Sequence, residues 1–207
     1  VYDDEQPIAG LERSARDTTD RAVRWLTDPG AGPLLLWVHY FEPHAPYEPP
    51  EPFRTRYAAR PYLGEVAAMD EQLGRLVEVF DTRVQGPKAI VVVGDHGEGL
   101  GEHGESQHGA LLYQSTMHVP MVLIGPGVSP SVFTEPVSIR RVHHTLLDWA
   151  GLGGELSLRG AVEAVVLGEA MKPFLEYGWQ PQIMAVSGRT KAIFAGRTEV
   201  YDILTDP

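Results

Sequence analysis

Two short stretches of this chain carry side chains that could do chemistry. In Gly94-Asp95-His96-Gly97-Glu98-Gly99-Leu100-Gly101-Glu102-His103-Gly104-Glu105-Ser106-Gln107-His108-Gly109, the imidazoles of His96, His103 and His108 fall among carboxylates and glycines. A carboxylate and an imidazole side by side, as at Asp95 and His96, can hold a divalent cation. Imidazole favours zinc and the transition metals, and carboxylate also accepts harder ions. The glycines let the loop bend back on itself and let its backbone approach a ligand. A solvated acidic turn is the competing reading, and the flanks weigh against it. Ile90-Val91-Val92-Val93 launches the loop and reads as a buried strand. Ala110-Leu111-Leu112-Tyr113 and the apolar run Val119 to Ile124 follow it. Ligands of open α/β sheets bind at the carboxyl ends of the strands, where Asp95 and His96 emerge. The loop therefore points to a metal-assisted hydrolase site.

The second stretch is Tyr40-Phe41-Glu42-Pro43-His44-Ala45-Pro46-Tyr47, where His44 follows an apolar run and is flanked by prolines that restrict its backbone. If the Leu34 and Ile90 strands are neighbours in one sheet, His44, Asp95 and His108 share a sheet edge. Tyr47 is placed to shape a substrate mouth. Glu98, Glu102 and Glu105 read as a solvated face of the loop, and His103 as a loop residue. His39 reads as a core histidine on a buried strand. His118, His143 and His144 have no motif around them.

The elements that position these groups follow from periodicity. Residues 9–27 fit an amphipathic helix with Leu11, Ala15, Thr18, Ala22, Trp25 and Leu26 on one stripe, ended by Asp28-Pro29-Gly30. Pro33 to Phe41 is near-continuously apolar, the mark of a strand covered on both faces. Pro61 to Val84 returns to helical period, and residues 139–150 form another helix. The segment 151–180 is glycine-rich. Gln182 to Val186, Lys191 to Ala195 and Glu199 to Ile203 are three short strands at hairpin spacing. Alternation of strand and helix through residue 150 predicts an α/β fold, a mostly parallel sheet flanked by helices, with a small antiparallel C-terminal addition. The expected division is residues 1–150 as the main α/β part and 151–207 as a small α+β extension.

Composition narrows the partners. The net charge of −11 lacks the basic face that nucleic acid requires, so no nucleic-acid partner is expected. A negative chain still binds an anionic ester where a metal supplies local positive charge. With no cysteine, the chain has neither disulfides nor a thiol nucleophile. No apolar run has the length of a membrane span. The absence of an initial Met and the stop at Asp206-Pro207 suggest a piece of a longer protein.

The pairing of Trp37-Val38-His39-Tyr40-Phe41-Glu42-Pro43-His44-Ala45-Pro46-Tyr47 with Gly94-Asp95-His96-Gly97-Glu98-Gly99-Leu100-Gly101-Glu102-His103-Gly104 resembles the sulfatase family of the alkaline phosphatase-like superfamily. Tyr62-Leu63-Gly64-Glu65-Val66 through Met69-Asp70, Tyr113 to Pro120, Thr145-Leu146-Leu147-Asp148 and the closing Val200-Tyr201-Asp202 are similar to further family landmarks. The resemblance implies a metal-dependent hydrolase of sulfuric esters. Asp95 and His96 match ligands of its single divalent ion. His44 matches the histidine that contacts the ester and assists proton transfer to the leaving oxygen. His108 falls where many relatives bind the sulfate or phosphate oxygens with lysine. Many sulfatases have asparagine at the position of His96 and use calcium. Imidazole is a poor calcium ligand, so manganese or zinc is favoured over calcium.

The family's nucleophile, a Cys or Ser oxidised to formylglycine, belongs to a Cys/Ser-x-Pro-x-Arg motif upstream of the residues seen here. No residue of this chain takes that role. The chain is thus expected to be the C-terminal part of such an enzyme, inactive alone, with the missing N-terminal half as its partner. Its substrate class is a small-molecule sulfate or phosphate-type ester. The alternatives are a phosphonate or phosphate ester hydrolase or phosphotransferase of the same superfamily, and a non-catalytic metal-binding module. Export or membrane tethering through a missing upstream segment is an expectation that the resemblance carries.

Overall fold

The computed structural model describes residues 13–27, 30, 32–160 and 164–206. Residues 9–12 of the expected first helix, its Asp28-Pro29 stop and Pro207 lie outside them. The chain divides into two compact units, Val1–Gly86 and Pro87–Pro207. Residues 151–207, expected as an extension, therefore group with the histidine-rich loop.

In the first unit, α1 (Ala15–Thr27) and α3 (Pro61–Arg83) sandwich their apolar stripes around Ala22, Leu26 and Leu76, with Phe80, Leu36, Val38 and Tyr40 against them. Ser14 starts α1, its Oγ accepting the Asp17 N–H at 3.1 Å. Pro61 opens α3 at a position where a missing N–H costs nothing. A short helix α2 (Phe53–Arg56) precedes it. The apolar run 33–41 forms no strand ladder among the described residues. Even-numbered Leu34, Leu36, Val38 and Tyr40 turn inward, while Leu35 and Trp37 stand 78% and 82% exposed. The covering on both faces that the composition predicts is present on one only. His39 lies on the exposed side, its ring 6.1 Å from that of Trp37, and is not a core histidine.

In the second unit, β1 (Ile90–Val93) pairs with β2 (Met121–Ile124), Ile90 opposite Ile124, and the pairing is antiparallel. Between them lie the histidine-rich loop and a single helical turn, α4 (Gln114–Met117). After α5 (Arg141–Trp149) come β3 (Val166–Ala170), α6 (Lys172–Tyr177), β4 (Gln182–Ser187), β5 (Thr190–Ala195) and β6 (Arg197–Asp202). The last four strands form one antiparallel sheet in chain order. The fold is mixed α/β, as expected, but the parallel sheet is corrected: every pairing among the described residues is antiparallel. An apolar run marks a strand without fixing its direction, and no crossover helix links β1 to β2. The three C-terminal strands match their expected positions, and Gly188 takes a φ of 54° in the two-residue turn between β4 and β5.

Leu112, Ala170, Met184, Val186 and Ile193 form the core of this unit. Lys191 lies among them, 1% exposed, its Nζ donating to Gln114 Oε1 at 2.9 Å. Burial pulls its ammonium down to about 8. An unfolded lysine holds its proton to about pH 10.4. Between pH 8 and that value the unfolded state therefore binds more protons, and stability rises with pH. The cost of the buried charge is fully present below pH 8. Lys191→Met is expected to raise the urea midpoint at pH 7 and to flatten the gain seen in the parent on moving to pH 10. A lower midpoint at pH 7 would show that the amine stabilises the sheet instead.

Candidate functional site

Each histidine-bearing loop is fastened through its backbone by a buried carboxylate. In the first unit, Glu65 of α3 is 5% exposed and accepts the His44 N–H at 3.0 Å and the Glu48 N–H at 2.7 Å. The peptide bonds before Pro43, Pro46 and Pro52 are cis. His44 is half-buried, its ring 4.4 Å from that of Phe41. Its Nδ1 lies 2.7 Å from the Ala45 carbonyl, which makes Nδ1 the donor of that bond. Tyr47 packs edge-on against Tyr62 of α3 with ring centroids 5.5 Å apart.

In the second unit, Glu105 is 7% exposed and accepts the Ala110 and Leu111 N–H groups at 2.9 and 3.0 Å. The loop closes on itself through Gly97 N–H to Thr116 O at 2.8 Å, Gly99 N–H to Gln107 O at 2.8 Å and Gly101 N–H to Glu105 O at 2.9 Å. That closure brings residues 96 and 108 together, and their rings stack at 4.0 Å and 26°. Each ring is oriented by an acceptor at Nδ1. For His96 it is the Gly97 carbonyl at 2.8 Å, and for His108 the Glu98 carboxylate at 3.0 Å. Both rings are therefore held with Nδ1 as the donor, the way outer partners orient metal-binding histidines.

His96 Nε2 and Asp95 Oδ1 lie 3.8 Å apart, with side chains 45% and 78% exposed. A cation bonded to both at roughly 2.0–2.2 Å spans that gap, so the two side chains fit as part of a coordination shell. Among the described residues no group of three or more His, Cys, Asp or Glu side chains could hold an ion, so further ligands would be needed.

The structure thus brings Asp95, His96 and His108 together in one unit, and places His44 and Tyr47 in the other. It corrects the reading of the loop glutamates. Only Glu102 is solvated, its carboxyl held below the usual range by the Leu100 N–H. Glu98, its side chain 5% exposed, orients His108, and Glu105 ties the loop together. Glu65 was also missed, and the signal for it was a carboxylate beside Leu63 and Val66 in the helical stripe. Nothing local pairs Glu98 with a histidine ten residues away.

The profile of the Sulfatase family matches residues 2–152, and the chain belongs to that family. It is 27% identical over 169 residues to choline-sulfatase of Rhizobium meliloti, covering 74% of this chain and 32% of that relative. Arylsulfatase K of Xenopus laevis is 30% identical over 93 residues, 44% of this chain and 17% of the relative. The fold matches phosphonate monoester hydrolase of Agrobacterium radiobacter with a TM-score of 0.70 at 17% identity, over 97% of this chain and 59% of that one. The structure of a 2-O GAG sulfatase matches with a TM-score of 0.58 at 18% identity, over 96% and 59%. The alkaline phosphatase-like fold expected from the motifs is borne out by these neighbours. The chain spans about a third of the length of the choline-sulfatase it matches. Among the described residues no helix is long and apolar enough to cross a membrane.

Proposed function

We propose that this chain supplies cation and anion ligands to a hydrolase of sulfuric esters: Asp95 and His96 for one divalent metal, His44 and His108 as catalytic side chains, Tyr47 at the substrate. The observation that carries this reading is the stacked His96–His108 pair, each ring fixed at Nδ1, beside the Asp95 carboxylate. A bound cation would neutralise ester oxygens and activate a nucleophile. The chain's own groups do the rest. Asp95 and the Nε2 of His96 bind the ion. His108, backed by Glu98, stabilises negative charge as it develops. His44 manages the proton at the leaving oxygen, its ring held by the Ala45 carbonyl. Imidazole at position 96 favours manganese or zinc over calcium.

The chain has no cysteine, and a formylglycine would come from sequence outside these 207 residues. Alone, the chain is expected to turn over neither sulfate nor phosphate esters. The test is peptide mapping of the protein made from its native gene, followed by assay on an aryl sulfate and a phosphonate monoester. An oxidised Cys or Ser with preference for the sulfate supports the reading. Turnover of an aryl sulfate by the 207 residues alone, lost in His44→Ala, would overturn the division of labour. His96 in place of asparagine favours one second reading, a phosphonate or phosphate ester hydrolase, for which the same assay would show the reverse preference.

A further inference from the structure

Tyr113 joins the histidine-rich loop to the C-terminal sheet. The ring of His103 lies flat on that of Tyr113, centroids 3.7 Å apart and planes 9° from parallel. His103 has a φ of 51°, a left-handed backbone that a side chain other than glycine adopts at a cost and keeps only where its surroundings hold it. On the other side, the Tyr113 hydroxyl donates to Glu199 Oε2 of β6 at 3.0 Å. Tyr201, two residues along the same strand, donates to the same oxygen at 2.5 Å, and its ring meets that of Tyr113 edge-on at 5.7 Å. Glu199 and Tyr201 share the inward side of β6, so the strand presents a carboxylate already oriented by its own phenol. Hydrogen bonds to an ionised acceptor are the stronger kind.

We propose that Tyr113 and Glu199 are positioning residues, through which the four-stranded sheet holds the Gly94–Gly109 loop and so fixes the stacked His96 and His108 rings. That these rings do chemistry rests on the function proposed above. That the loop hangs on this linkage does not.

Two variants separate a loop anchor from ordinary sheet packing. Tyr113→Phe and Tyr201→Phe each delete one hydroxyl bond to the same carboxylate oxygen. The first bond links the loop to the sheet, and the second links two residues of one strand. In the 207-residue chain, Tyr113→Phe is expected to speed amide exchange at Gly97, Gly99 and Gly101 about tenfold, the loss of one charge-assisted bond read as local opening. Tyr201→Phe is expected to leave those rates within about twofold, with amides of β4 and β5 unchanged in both variants. The ring signals of His96 and His108 should move with Tyr113→Phe alone. Equal effects of the two variants, or no effect of Tyr113→Phe, overturn the proposal. If Tyr113→Phe also exposes the sheet amides, Glu199→Gln and Glu199→Ala replace it. The glutamine keeps an acceptor oxygen and should retain most of the protection that alanine loses, and equal loss in both overturns the proposal. In the parent enzyme, Tyr113→Phe should lower kcat several-fold with KM unchanged. Faster exchange with unchanged kcat would leave the anchor standing and overturn the hydrolase reading of the loop.

Discussion

On the function proposed above, Asp95→Ala in the protein made from its native gene is expected to lower kcat/KM for a sulfate ester by about a hundredfold or more, since loss of even an outer partner of a metal site costs roughly 10–100-fold. The carboxylate is 78% exposed and makes one local bond, accepting the His96 N–H at 3.0 Å. Its removal should leave the unfolding midpoint of the chain almost unchanged, which separates a chemical loss from a structural one. The measurement pairs steady-state kinetics with elemental analysis of bound metal. Activity and metal should fall together. Full activity in the variant would remove Asp95 from the ligand set, and the metal reading of the loop with it.

Gly97→Ala should do the opposite, damaging the fold around the site. A Cβ built on Gly97 would lie 2.2 Å from the Ser115 carbonyl oxygen and 3.2 Å from the Thr116 Cα. Both neighbours are backbone, so neither moves aside as a flexible side chain would. Relief requires breaking the Gly97–Thr116 hydrogen bond that closes the loop. Overpacking of this kind costs about 2–3 kcal/mol, a fall of roughly 10 °C in Tm. The stack of His96 on His108 should be lost with the closure, visible in their ring signals. Gly101→Ala is the control. Its φ of 115° strains any side chain, yet nothing lies within 4 Å of its Cβ. It should cost about 1 kcal/mol, the backbone contribution alone. Equal losses at the two positions would mean that the close approach at Gly97 is not what closes the loop.

The sequence made the helices at 15–27, 61–83 and 141–149 and the three last strands legible, because each rests on a local period. Strand direction was not local: β1 and β2 are joined through 27 intervening residues whose path no pattern specifies. β3 escaped notice because Gly168 interrupts its apolar alternation; a Cβ there would lie 2.7 Å from the Met184 methyl and 2.8 Å from the Met117 methyl, both flexible ends. The turn 154–160 looked featureless, yet it is bound tightly to α5. Arg141, 2% exposed, donates to the Leu156 and Ser157 carbonyls at 2.9 and 2.6 Å. Thr145 Oγ1 accepts the Leu158 N–H at 2.9 Å. At the candidate site, residue types singled out Asp95, His96 and His108, which the folded chain brings together. The groups that orient them were hidden, because Glu98, Glu105 and Glu199 act on partners that only the folded chain brings near.

The grip of Glu65 and Glu105 bears on how such a protein diversifies. Both carboxylates hold main-chain N–H groups of a loop. Peptide N–H groups are the same whatever residue carries them, proline excepted. Substitutions at 48, 110 and 111 can therefore change the side chains that the loops present while the loops keep their paths. The loop surface can drift at these positions, whereas the two glutamates have no such latitude.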